Sequence, residues 1–192
     1  MGRPKEFDPA VAVDRAVDVF WGQGYGATTP QQLAEQLQIA RGSMYNAFGG
    51  KRQLYDRALR RYLDMRVEAV GALLNSPGPA KEILRRVLLY LVEADFERAD
   101  RRGCFATNSA VELGRIDEDV TRGVLELFGR TEGAFRELIE RGQREGDIRA
   151  DLDAADVASM LLSTATGVHV LARVDSGPER LLRAVDAAVA LL

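Results

Sequence analysis

Apolar residues recur at three- and four-residue steps along almost the whole chain, and nowhere do they alternate strictly with polar ones. That periodicity predicts helices throughout and no sheet. Asp8 is a suitable N-cap and Pro9 suits the first helical position; Val11, Val13, Ala16, Val17 and Phe20 follow, and Gly22 and Gly24 stop the helix. Thr29 caps a second helix, which holds Pro30 and turns Leu33, Ala34 and Leu37 inward. A third, very short helix fits residues 41–47 and is closed by Phe48-Gly49-Gly50. From Lys51 to about Leu74 a longer helix sets Leu54, Ala58, Leu59, Tyr62, Met65 and Val70 on one face. The clearest break is Asn75-Ser76-Pro77-Gly78-Pro79. Beyond it, helices are expected at roughly 80–99, 104–114, 117–145, 153–173 and 178–191, parted by Arg102-Gly103, Gly114, Gly146-Asp147 and Ser176-Gly177-Pro178. There is no repeat of fixed period. The fold class is all-α, with about nine helices, three of them short and crowded at the front.

Three short helices, the second and third joined by a tight turn, are the plan of a helix-turn-helix DNA reader. Leu33, Ala34 and Leu37 would seat the second helix on the third; the small Ala34 lets the axes cross closely, and Ile39 plugs the turn. The third helix then presents Arg41, Ser43, Tyr45 and Asn46 while burying Met44 and Phe48. Such a polar face suits a major groove.

Composition agrees with a folded chain. At 192 residues, 46% of them apolar, there is material for a core and for one or two domains. No apolar run approaches the roughly 20 residues that span a bilayer. The start, Met1-Gly2-Arg3-Pro4-Lys5-Glu6, is polar with no apolar stretch behind it, and Cys104 is the single cysteine. These features predict a soluble, cytoplasmic protein without a membrane partner. The net charge of −3 hides an asymmetry: residues 1–62 hold 9 Lys/Arg against 6 Asp/Glu, the rest 17 against 23. A basic head on an acidic body suits a protein whose head alone approaches phosphates.

The run Thr28-Thr29-Pro30-Gln31-Gln32-Leu33-Ala34-Glu35-Gln36-Leu37, then Ile39-Ala40-Arg41-Gly42-Ser43-Met44-Tyr45-Asn46-Ala47-Phe48 and Lys51, resembles the DNA-binding signature of the TetR family of transcriptional regulators. Ala16 to Phe20 and Gly24-Tyr25 fit as well, so the resemblance covers roughly residues 7–60. It implies an N-terminal three-helix DNA-binding domain (residues 1–50), helix 51–74 as connector, and a helical ligand-sensing and dimerisation bundle within 51–192. Thr29 and Gln31 would touch phosphate at the start of the second helix. Arg41, Gly42, Ser43, Tyr45 and Asn46 would lie on the recognition helix, with Tyr45 against backbone phosphate and Lys51 contacting phosphate too. Arg3 and Lys5 of the N-terminal arm would reach an adjacent groove. The sequence departs from the family pattern at Gln38, where glycine is frequent, at Ala40, where Ser or Thr usually caps, and at Ala47, where an aromatic or His is frequent. A lost cap costs on the order of 1 kcal/mol.

A dimer is implied, because helix-turn-helix heads usually read two half-sites about 34 Å apart. Its face is expected on the last two helices, with Leu161, Ala165, Val168, His169, Leu181, Val185 and Ala188 as candidates; the same stripes also suit the chain's own core. The middle helices would surround a small-molecule inducer, with Cys104, Phe105, Asn108, Tyr90, Phe128 and Met160 as candidate lining. Arg102-Gly103-Cys104-Phe105 resembles a glycine-cysteine segment of some family members. A cysteine at a helix N-terminus beside Arg101 and Arg102 favours thiolate, hence a thiol sensing electrophiles or oxidants; an inert space-filling cysteine is the alternative.

No enzyme is expected: one His, one Cys and no phosphate-cradling glycine loop leave no nucleophile–base pair legible by spacing. No metal site or cofactor is expected either. The function read here is a ligand- or electrophile-responsive regulator, a repressor on a palindromic double-stranded operator, acting as a homodimer. A helical adaptor that binds protein without DNA, and a DNA-binding regulator with no inducer, are the other readings.

Overall fold

The computed structural model describes residues 7–192. Arg3 and Lys5, expected in the arm, lie outside the described residues. Among those residues there are nine α-helices and no strand: α1 (Pro9–Gln23), α2 (Pro30–Leu37), α3 (Arg41–Phe48), α4 (Lys51–Leu74), α5 (Ala80–Glu97), α6 (Phe105–Leu113), α7 (Glu118–Glu145), α8 (Ala154–Leu171) and α9 (Glu179–Ala190).

The ends follow local chemistry. The Asp8 carboxylate accepts the Ala10 N–H at 2.8 Å, and Asp117 and Asp153 do the same for α7 and α8. Each satisfies a donor that the first helical turn leaves orphaned. Thr29 and Gln32 form a reciprocal capping box on α2. The turn into α3 needs a left-handed residue, and Gln38 supplies it at φ 58°. Glycine is the ordinary choice there. Arg15 reaches across from α1 to the Leu37 carbonyl and the Gln38 side chain, bracing the turn.

Buried side chains form two clusters. The first joins α1–α3 (Ala16, Phe20, Leu33, Leu37, Met44, Phe48) to α4 and continues past residue 50 into Cys104, Phe105, Leu113, Val120 and Val124. Tyr55 is its hub: its ring meets Phe20, Tyr25 and Phe105 edge-on, with centroids 5.1, 4.9 and 5.7 Å away. Each such pair adds about 0.5–1.5 kcal/mol beyond area burial. The second cluster packs α5, the later half of α7, α8 and α9 around Ile83, Val87, Phe135, Ile139, Leu161 and Val185.

The packing corrects several sequence expectations. Met65 and Val11 point to solvent, each 46% exposed, so the apolar stripes of α4 and α1 are narrower than expected. Leu161, Ala165, Val168, His169, Leu181, Val185 and Ala188, expected on a dimer face, are all buried within this chain. Those stripes turn toward α5 and α7, which pack against α8, while α9 lies on α5 and α8. The outer faces carry Ser163 and Val170 on α8, with Val174 just beyond its end, and Ala184 and Ala187 on α9, with Leu191 just beyond its end. By length and composition alone α8 is apolar enough to cross a membrane, with mean hydropathy 1.3 over 18 residues, contrary to the sequence expectation; its inner stripe serves the core instead.

Candidate nucleic-acid interface and regulatory cavity

In the turn between α2 and α3 the Ala34 carbonyl accepts the Ile39 N–H, and Met44 and Phe48 close the underside of α3. The opposite side is open. Arg41, Gly42, Tyr45, Asn46 and Ala47 are exposed there and Ser43 is half-buried. The Arg41 guanidinium lies 5.8 Å from the Tyr45 ring centroid, and a Cβ on Gly42 would meet nothing within 4 Å, so backbone as well as side chains is approachable. No side chain caps Ala40, which leaves the first N–H groups of α3 to an outside acceptor. Thr29 and Gln31 are exposed at the start of α2, although the Thr29 hydroxyl already serves the capping box. Lys51 opens α4 with its ammonium 4.1 Å from the Tyr25 ring centroid. Partial burial lowers its pKa from the ordinary lysine value, and Glu112 pulls the other way. Every described residue expected to touch DNA thus lies on α2, on α3 or at the head of α4.

The head is tied to the body through α6. The Glu112 carboxylate accepts the backbone N–H of Tyr25 at 2.9 Å and of Gly26 at 2.6 Å, clamping the α1–α2 turn. The Tyr55 hydroxyl donates to Ser109 Oγ at 2.7 Å, and burial pushes this phenol's pKa up to about 12. The Trp21 indole donates to the Gly103 carbonyl at 2.9 Å, and Arg102 bonds Asp18 at 2.8 Å. A movement of α6 therefore acts on the DNA-reading head at several points.

At the N-terminal end of the same helix is a small cavity of about 50 Å³, lined from α4, α5, α6, α7 and α8. Of the expected lining residues it brings together Cys104 and Phe128. Phe105 is committed to the Tyr55 and Tyr62 rings, and Asn108 is held between the Arg102 carbonyl and Arg173. Tyr90 and Met160 are half-buried against the body core. The polar lining that sequence reasoning did not assign to a ligand site comprises Arg66, Thr107, Thr131, Thr166 and His169. Behind His169 stands Asp95, its carboxylate 2.7 Å from His169 Nδ1, both buried. The signal was present: Arg66, Asp95 and His169 each interrupt an apolar stripe at helical spacing, as in Leu59-Tyr62-Arg66-Val70. A wider groove of about 590 Å³ runs between α4 and α7, edged by charged side chains such as Asp64 and Arg130.

The Cys104 thiol is buried and free. The Tyr62 hydroxyl donates to its sulfur at 3.4 Å. Burial pushes the thiol up, but His169, the Tyr62 and Thr107 donors and Arg66 together outweigh it and bring it below its ordinary value.

An exposed, uncapped reading helix on a trihelical head, fastened to a helical body with its own internal cavity, defines a helix-turn-helix DNA-binding protein with a regulatory domain. Known proteins agree. Residues 12–58 match the family described as bacterial regulatory proteins, tetR family, and residues 80–188 match the tetracyclin repressor-like C-terminal domain. The HTH-type transcriptional regulator YezE of Bacillus subtilis is 34% identical over the full length of both chains. The HTH-type transcriptional repressor ComR of Escherichia coli is 26% identical over 95% of this chain and 87% of its own. A cysteine mutant of the TetR family regulator CifR, solved with 26-bp double-strand operator DNA, is 31% identical and superposes with a TM-score of 0.86 over 98% of each chain. The chain belongs to the TetR family of transcriptional regulators, which are DNA-binding proteins and not enzymes.

Proposed function

We propose that this regulator is a cytoplasmic repressor that binds a palindromic operator as a homodimer and lets go when a small molecule or electrophile occupies the cavity beside Cys104. The observation that carries this reading is the shared helix α6. Its first turn lines the cavity through Cys104 and Thr107, and its last two turns hold the head through Ser109 and Glu112. A ligand that displaces the first turn moves the head with it. Coupling of about 1–3 kcal/mol, or 5- to 150-fold in operator affinity, is enough for a switch.

Operator contacts are assigned to Arg41, Gly42, Ser43, Tyr45 and Asn46 of α3, with Thr29, Gln31 and Lys51 on flanking phosphates; Arg3 and Lys5 remain candidates for the adjacent groove. The dimer is assigned to the outer faces of α8 and α9, where Ser163, Val170, Val174, Ala184, Ala187 and Leu191 are open to a second copy. Two apolar helices from each subunit then form a four-helix contact. Operators co-crystallised with CifR support the DNA half of the proposal. Selection from a randomised duplex pool tests it. A palindrome should be enriched, with affinity falling steeply with salt. Failure of folded protein to enrich any motif favours the protein-binding adaptor.

A further inference from the structure

The cavity holds an arrangement that neither operator binding nor family membership requires. Among the described residues Arg66 makes no ion pair, although it is set deep against Cys104, Tyr62 and the Tyr90 ring. Thr107 is 5% exposed, lines the cavity, and its Oγ1 has no hydrogen-bond partner. A buried hydroxyl without a partner costs free energy unless a ligand oxygen satisfies it, and the half-buried Arg66 guanidinium on the same wall can share that oxygen. His169 lines the same cavity, and its Nδ1 is engaged by Asp95. An ionised carboxylate only accepts, so Nδ1 carries the hydrogen and Nε2 is the basic nitrogen left for the cavity. Cys104 and His169 share the cavity wall and Asp95 orients the imidazole, so the residue types of a nucleophile, a base and the group orienting that base are gathered at one site.

Resting on the electrophile reading above, we propose that Asp95 and His169 serve Cys104 as its base, making the cavity a covalent receptor for a short α,β-unsaturated carbonyl compound whose oxygen Arg66 and Thr107 hold. The size fits. About 50 Å³ is a third of the roughly 150 Å³ that admits benzene, which suits a chain of about four heavy atoms. In the step, Nε2 takes the thiol proton and the sulfur attacks the β-carbon, forming the C–S bond. The C=C π pair moves to give an enolate, whose oxygen accepts from Arg66 and Thr107. The imidazolium proton, or water exchanging with it, then goes to the α-carbon. The sum is addition of S–H across C=C, with no further reactant. Arg66 and Asp95 offset each other, and moving a proton from thiol to imidazole leaves the net charge unchanged, so a low-dielectric site tolerates the step. The other groups facing the sulfur are Tyr62 and Arg66 from α4; the α7 lining (Leu127, Phe128, Thr131, Phe135) carries nothing titratable. Burial keeps the Tyr62 phenol well above its ordinary value, hence a donor to the sulfur throughout.

The test is the rate of acrolein addition to the full-length protein between pH 6 and pH 8, read by intact mass, with Cys104→Ser as blank. An ordinary thiol loses about tenfold in rate per pH unit below its pKa, roughly 100-fold over this interval. The wild type is expected to fall less than about fivefold, and His169→Asn to recover the ordinary slope, with Asp95→Asn between them. Arg66→Met raises the thiol and so slows alkylation by iodoacetamide, which develops no enolate, but it should slow acrolein addition at least about tenfold more; equal slowing of both overturns the enolate-holding role of Arg66. A His169→Asn profile matching the wild type overturns the base while leaving electrophile sensing intact. If that variant does not fold, a wild-type slope of about tenfold per unit overturns it as well. If wild-type Cys104 forms no adduct, the electrophile reading fails and this inference with it.

Discussion

Tyr45 is exposed and Lys51 half-buried at the open side of the head, beside Arg41 and Tyr25 respectively, so their replacement should be felt on DNA more than in stability. Lys51→Met is expected to weaken binding about equally across sequences and to reduce the log–log salt slope by about one, because one phosphate contact is lost. Arg41→Ala, if Arg41 reads a base edge, should relax preference at one operator position at a cost of about 1–3 kcal/mol; binding to a panel of single-site operator variants measures both. Glu112 makes a different kind of contribution. Its two accepted N–H bonds are charge-assisted but lie at the surface, so Glu112→Ala should cost about 1 kcal/mol in stability. Amide exchange at Tyr25 and Gly26 should quicken, and operator affinity should respond less to the inducer. Unchanged exchange at those amides would dissociate Glu112 from the coupling.

At the scale of elements, α3 starts without a cap and Gly103 joins α5 to α6 under constraint. Ala40→Ser supplies the missing acceptor for the N–H groups of Gly42 or Ser43 and should add about 1 kcal/mol, which for a chain of this size is about 2–4 °C in Tm by calorimetry. Gly103 sits at φ 65°, and a Cβ there would lie 2.6 Å from the His169 carbonyl. Gly103→Ala therefore combines a left-handed backbone cost of about 1 kcal/mol with a clash against main chain that cannot rotate away. The expected result is a Tm lowered by several degrees and a disturbed cavity, since Cys104 and His169 flank the clash. These helices were legible from their punctuation: Asp8-Pro9, Thr29-Pro30, Asp117 and Asp153 announce starts, and Gly24 and Gly146 announce stops. The end of α5 was less so. It stops at Glu97 because the backbone turns extended at Arg98 and left-handed at Arg101, positions without a Gly or Pro to mark them.

For the whole molecule, α4 and α7 contribute to both buried clusters, so the body's state reaches the head through packed side chains rather than through a flexible linker. The proposed dimer face makes a prediction at this scale. Val170, half-exposed on the outer side of α8, becomes buried against a second copy, so Val170→Arg should shift the protein toward monomer in light scattering while leaving its helicity intact. Operator affinity should fall with it, because two tethered heads bind far more tightly than one. A dimer that survives this change, together with Ala187→Arg, would place the contact elsewhere.

The amino-acid sequence alone determined what depends on near neighbours: nine helices with their caps, a trihelical front end, and the exposed Arg41-to-Asn46 face of α3 against buried Met44 and Phe48. Capping, left-handed turns and helical periodicity act within a few residues, and those signals stand in the sequence. It did not fix which side of an all-round apolar helix faces inward. The stripe Leu161-Ala165-Val168 was compatible with a partner subunit, and the packing of α5 and α7 turned it inward. Nor did it bring together Arg66, Asp95, Cys104 and His169, which lie on four helices. Each looked like a lone polar residue; only the crossing of α4, α5, α6 and α8 makes them one site, because the free energy of a buried charge depends on partners far away in the chain.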